Sequence, residues 1–220
     1  MNQSPYEVYS SIFKKHSLIT NSLNNSELEI CFRSSWKEMS QKTHPDHKDR
    51  YANHPKGIEG WWRELIEIYL KNINNKKIEK EVVYREIFDW FDHPENWRLE
   101  PTFHELIHFC KLEKIGLGIL SNWDLRLRNL LLQKNILGYF DIILISAEFG
   151  YEKPSPLFFK EAETLCNTQA HNIFYIGDKI ELDYIPSKKR NWNSYILSKD
   201  KSENFHIQTL SQIKEQLKQL

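Results

Sequence analysis

The chain has 220 residues, 40% of them hydrophobic and 27% charged, with 30 Lys and Arg against 30 Asp and Glu. That length suits one core with a sizeable insertion and is too short for three domains, while a formal net charge of zero gives no field to gather polyanions, which argues against a generic nucleic-acid binder. No stretch approaches the roughly 18 apolar residues of a membrane span, and residues 1–5 lack the basic and apolar parts of an export signal, so the sequence predicts a soluble, cytoplasmic protein with no membrane partner. Cys31, Cys110 and Cys166 are scattered and odd in number, which predicts reduced core thiols rather than disulfides or zinc ligands.

Along the first part of the chain, apolar residues recur only at helical spacing. The sets are Tyr6, Val8, Tyr9, Ile12 and Phe13; Leu28, Ile30, Cys31 and Trp36; Trp61, Trp62, Leu65, Ile66, Ile68 and Tyr69; and Val82, Val83, Ile87, Phe88 and Phe91. They predict an all-helical region over 1–97. From 98 to 220, helical patterns near 102–113, 124–134, 156–166, 181–189 and 207–219 alternate with short apolar runs at 116–120, 141–145, 172–176 and 193–197. Strands this apolar, separated by helix-length segments, predict an α/β domain with a doubly wound parallel sheet covered on both faces.

Such sheets place ligands beyond the carboxyl ends of their strands, and those positions here are polar. The first run ends in Ser121-Asn122, the second leads through Ser146 to Lys153-Pro154, and the third ends in Gly177-Asp178 with Asp183 following. A hydroxyl, an amide, an ammonium and two carboxylates on one rim suit an anion held with a hard cation. Asp178 and Asp183 could supply magnesium's carboxylates, Ser121 and nearby N–H groups could donate to phosphoryl oxygens, and Lys153 offers a compact positive charge.

Leu120-Ser121-Asn122, then Gly150-Tyr151-Glu152-Lys153-Pro154-Ser155-Pro156-Leu157-Phe158-Phe159, then Ile176-Gly177-Asp178-Lys179-Ile180-Glu181-Leu182-Asp183 resemble the second, third and fourth motifs of the haloacid dehalogenase-like (HAD) hydrolase superfamily. Trp61-Trp62 and the Trp97-Arg98-Leu99 entry resemble the subfamily whose helical cap lies between the first two motifs. The resemblance implies a Rossmannoid core over 98–220, a helical cap over 1–97, and hydrolysis of a small phosphorylated metabolite with Mg2+. It assigns phosphoryl binding to Ser121, with Asn122 beside it in the binding set, charge neutralisation of nucleophile and intermediate to Lys153, and magnesium to Asp178 and Asp183. The Asp178 and Asp183 pattern favours a phosphatase over a metal-free 2-haloacid dehalogenase.

The family's first motif, an Asp-x-Asp whose first carboxylate is the nucleophile, has no counterpart here; the first aspartate is Asp46. The chain is expected to begin at the first cap helix, without the central strand, so no residue is assigned as nucleophile. Covalent catalysis needs that carboxylate. A truncated or degraded gene is therefore expected ahead of a protein that folds without its centre, with two functional readings: a phosphatase completed by an upstream segment, or an inactive remnant that binds phosphate or a partner. The drift after Asp183 agrees, since Pro186 fits only a helix's first turn.

Rival patterns have plainer explanations. His104-Glu105-Leu106-Ile107-His108 matches a zinc-hydrolase motif, but Lys111 and Lys114 stand where a longer form wants histidine, and an amphipathic sheet-covering helix explains the segment. The histidines and aspartate of 44–47, with His54, read as a polar loop; Trp36, Trp61, Trp62, Trp90 and Trp97 as a helical core rather than a substrate pocket; Lys188-Lys189-Arg190 as a solvated face.

Overall fold

A computed structural model describes residues 3–19, 23–42, 46–74, 80–199 and 203–218. His44 and Pro45 lie outside them. The chain forms two compact units, residues 1–45 with 50–98, and residues 46–49 with 99–220. No described helix is long and apolar enough to cross a membrane.

The first unit contains α1 (Pro5–Lys15), α2 (Asn25–Gln41), α3 (Gly57–Asn72) and α4 (Lys80–Asp92). Local chemistry starts the first two. Pro5 occupies the first turn of α1, where its missing N–H costs nothing. At α2, the Asn24 side chain accepts from Glu27 N–H while the Glu27 carboxylate accepts from Asn24 N–H, a reciprocal cap. The inward stripes meet in an aromatic core, with Tyr9 and Phe32 rings 5.3 Å apart, Phe13 and Tyr69 5.2 Å, and Trp36 and Trp61 5.4 Å. Trp61 is buried, Trp62 lies 4.9 Å from it, and Trp97 donates its indole N–H to the Phe91 carbonyl. Buried Tyr69 donates to the Leu28 carbonyl and contacts the Ser10 hydroxyl at 3.0 Å.

The second unit runs α5 (Phe103–Leu112), β1 (Gly118–Ser121), α6 (Arg126–Gln133), β2 (Ile142–Ile145), the single turn α7 (Ser146–Phe149), α8 (Pro156–Cys166) and β3 (Phe174–Gly177). It closes with a π-helical turn at Ile180–Tyr184, then α9 (Ile185–Lys188), β4 (Asn193–Leu197), β5 (His206–Ile207) and α10 (Ile213–Leu217). Every strand pairing is parallel. The strands fall into two sheets, β1-β2 and β3-β4-β5; among the described residues no strand joins β1 to β3, the gap expected where the central strand is missing.

Apolar layers cover the strands. Phe158, Phe159, Ala162, Tyr175 and Trp192 form one cluster, and Leu106, Cys110, Ile213 and Leu217 another. The expected closing helix over 207–219 is shorter than its pattern. Residues 206–207 instead extend the β4 edge, where Ile196 N–H donates to the Phe205 carbonyl and Ser198 N–H to that of Ile207; an unpaired sheet edge captures backbone that periodicity alone assigns to a helix. Pro186 lies in the first turn of α9. Its ring would collide with the Leu182 carbonyl of an ordinary α-helix, and the turn before it is wider, with Ile185 N–H reaching back to the Ile180 carbonyl.

Candidate functional site

The carboxyl ends of β1 and β3 meet around one ammonium group. Lys153 Nζ lies 2.6 Å from Asp183 Oδ1, 2.9 Å from the Tyr175 hydroxyl and 3.2 Å from the Leu120 carbonyl. Its three donors therefore have three acceptors, two on strands and one in the π-helical turn. The loop carrying it is clamped as well. Asn122 Oδ1 accepts from Lys153 N–H at 2.7 Å, and Asn122 Nδ2 donates to the Lys153 carbonyl at 2.8 Å. Asn122, expected in the binding set, thus holds the lysine's own backbone.

Asp183 is buried, and both its oxygens are engaged. Oδ1 accepts from Lys153 and, at 2.6 Å, from the Tyr175 hydroxyl, while Oδ2 accepts the N–H groups of Asp178 at 3.2 Å and Lys179 at 3.0 Å. Burial pushes its carboxyl upward, but the Lys153 charge and the hydrogen bonds from Lys153, Tyr175 and the Lys179 backbone outweigh it, holding the carboxyl below its usual range. Burial, together with the adjoining carboxylate, pushes the Tyr175 hydroxyl well above the ordinary tyrosine range. This close packing explains Gly177. A Cβ placed there would lie 2.2 Å from Asp183 Cβ and 2.4 Å from its Cγ, so only glycine lets the end of β3 pass the aspartate.

Ser121, partly exposed, and Asp178 lie at the ends of β1 and β3. The Ser121 hydroxyl makes no hydrogen bond to another described side chain, and Ser146 Oγ, 3.1 Å from Trp123 N and 3.2 Å from its carbonyl, steadies the turn that follows it. Asp178 is 71% exposed, with Lys179 Nζ 3.4 Å away. Magnesium takes oxygen ligands, often one or two carboxylates with water and phosphate oxygens making up the rest. This donor set fits that habit through Asp178, whereas the four donors on Asp183 make it an anchor for Lys153. No group of three or more potential metal-ligating side chains occurs among the described residues.

Of the residues expected from sequence, Lys153, Asn122 and Asp183 share one hydrogen-bond network, with Ser121 and Asp178 at the adjoining strand ends. Tyr175 and Gly177 were missed as functional positions. Tyr175 sat in an apolar run, yet a tyrosine buried near a strand end needs a partner for its hydroxyl, and that was the available signal. His104 and His108 are exposed on α5, and Glu105 pairs with Lys214 at 3.2 Å, as on a helix laid over a sheet. His54 Nε2 contacts Glu64 at 2.9 Å. Lys188 and Lys189 are exposed, and Arg190 pairs with Glu163. The three cysteines are free thiols.

The haloacid dehalogenase-like hydrolase family matches residues 19–188. The rhythmically expressed gene 2 protein of Drosophila melanogaster is 30% identical over 189 residues, covering 79% of this chain and 70% of that protein. Two solved structures share the fold at 16% identity: a HAD phosphatase from Thermococcus onnurineus, covering 97% of this chain and 87% of that one with a TM-score of 0.60, and a 2-haloacid dehalogenase from Pseudomonas syringae pv. Tomato, covering 98% and 90% with a TM-score of 0.62.

Proposed function

The chain belongs to the haloacid dehalogenase-like hydrolases, and from that premise we propose that its rim serves phosphate-ester hydrolysis on a small phosphorylated metabolite rather than cleavage of a carbon–halogen bond. The carrying observation is the division of labour between the two rim aspartates. Asp183 is consumed in fixing Lys153, while Asp178 faces outward at the end of β3 beside Lys179, exposed to a hard cation that a metal-free dehalogenation would not need.

In this reading Ser121 donates its hydroxyl proton to a phosphoryl oxygen, and Lys153 neutralises charge that grows on the transferred group. Asn122, Tyr175 and Asp183 are positioning residues, because they act by fixing Lys153. Asp178 would hold magnesium, which when bound offsets phosphoryl charge and orients the group. Attack in this family is by the carboxylate of an Asp-x-Asp motif, and none occurs in the 220 residues. That observation supports a second reading, in which these residues bind phosphate without turning it over.

Calorimetric titration with inorganic phosphate, with and without magnesium chloride, tests both. Binding is expected, weakened about ten- to a hundredfold by Lys153→Ala, as for a lost charge-assisted contact, and losing its magnesium dependence in Asp178→Asn. Aryl phosphate turnover at or above about 1 s⁻¹, typical of enzymes, would exclude the binding-only reading. Phosphate affinity indifferent to Lys153→Ala, or halide release from a 2-haloacid, would overturn the phosphatase assignment.

A further inference from the structure

Asp183 sits where the regular helical ladder is interrupted. Its own N–H and that of Tyr184 both donate to the Lys179 carbonyl, at 2.9 and 3.3 Å, Ile185 N–H reaches back to the Ile180 carbonyl, and Pro186 has no N–H to give. The next residue turns a side chain back instead. Ser187 is fully buried, with its hydroxyl 2.5 Å from the Asp183 carbonyl and 3.0 Å from that of Tyr184.

A second buried hydroxyl completes the arrangement, since Ser194 Oγ lies 2.7 Å from Ser187 Oγ. A serine hydroxyl has one proton and carbonyls only accept. The Ser187 proton therefore points to the Asp183 carbonyl, with the Tyr184 carbonyl as its more distant acceptor, and the Ser194 hydroxyl donates to Ser187. The polar chain runs one way, from β4 to the aspartate.

Ser194 on β4 is the register partner of Tyr175 on β3, and partners in a parallel pair project their side chains from the same face of the sheet. Two neighbouring strand residues thus hold one aspartate at both ends. Tyr175 donates to its carboxylate directly, and Ser194 reaches its carbonyl through Ser187. With the carbonyl fixed, the carboxylate has one direction in which to meet Lys153.

We propose that Ser187 is a positioning residue of the rim, oriented by Ser194, which fixes the Asp183 backbone and through it the carboxylate that anchors the Lys153 ammonium. Its effect on phosphate binding rests on the reading of the rim given above; its effect on the ammonium does not.

Nitrogen NMR of the lysine ammonium groups tests this in the full chain. Lys153 is largely buried on three acceptors, so its ammonium is expected to exchange slowly with water and to be identified by its loss in Lys153→Ala. In Ser187→Ala the exchange is expected to quicken by about tenfold or more, and phosphate binding to weaken about three- to tenfold, as for one hydrogen bond. Ser187→Ala also leaves the Ser194 hydroxyl buried without its acceptor, so removing both hydroxyls restores stability. A hydroxyl pair that only held the fold together would regain the slow ammonium along with that stability in Ser187→Ala/Ser194→Ala; a positioning role requires that it stay lost. Should the single variant fail to fold, the double variant carries the comparison. Ser35 donates to the carbonyl four residues before it in α2, and Ser35→Ala is expected to lower stability without touching the signal. A slow ammonium retained in Ser187→Ala, recovered in the double variant, lost equally in Ser35→Ala or missing from the wild type overturns the proposal. An ammonium that responds as expected, with phosphate affinity indifferent to Lys153→Ala, supports the positioning role and sinks only the phosphatase reading.

Discussion

Lys153 is the residue on which the rim turns, and three neighbours fix it by different means. Asn122 binds its backbone, so Asn122→Ala removes two hydrogen bonds; a loss of about 1–3 kcal/mol is expected in urea unfolding, with weaker phosphate binding because the ammonium is no longer held in register. Tyr175 donates to Asp183, so Tyr175→Phe should raise the aspartate's titration, read by carboxyl NMR, while leaving the Lys153 ion pair in place. Asp183 itself ties stability to acidity. Its folded carboxyl titrates below its unfolded value of 3.8, so its contribution is present above that value and disappears as pH falls through the lower folded one. Acid unfolding of the wild type should carry this loss and that of Asp183→Asn should not. The sequence marked Lys153 and Asp183 as separate functional candidates; that they are partners depends on a contact between residues 30 apart, which no local pattern encodes.

At the scale of elements, the end of β3 and the π-helical turn are fitted to each other by a missing side chain. Gly177→Ala forces a methyl against Asp183 Cβ and Cγ, and because the aspartate is held by four donors it cannot swing away. The expected result is destabilisation of about 1–3 kcal/mol together with reduced phosphate affinity, measured by chemical unfolding and calorimetry on the same sample. Strands β1 to β4 were legible as apolar runs, each found within two residues of its predicted place, and helices α5, α6 and α8 followed their apolar periodicity. β5 was not legible, because two residues carry no period and His206–Ile207 become a strand only through the β4 edge.

For the whole chain, ionisation limits stability at alkaline pH as well. Burial pushes the Tyr69 hydroxyl up to about 12. A raised folded value means that the folded state favours the protonated phenol, so this contribution is intact below the ordinary value of 10 and is lost as pH rises from there through about 12. Tyr69→Phe should flatten that alkaline loss in thermal melts followed across pH 9–12.

The sequence by itself determined the helical and α/β character of the two regions, the family, and the positions of the rim residues, because periodicity and the chemistry after each strand are properties of neighbouring residues. It did not determine which polar atoms meet. Tertiary structure alone decided that Asp183 serves Lys153 while Asp178 faces outward, and that Asn122 clamps a backbone. Those outcomes depend on how strands separated in the chain are set side by side, and on a limited number of lone pairs and N–H groups being shared among whichever groups that packing brings within reach.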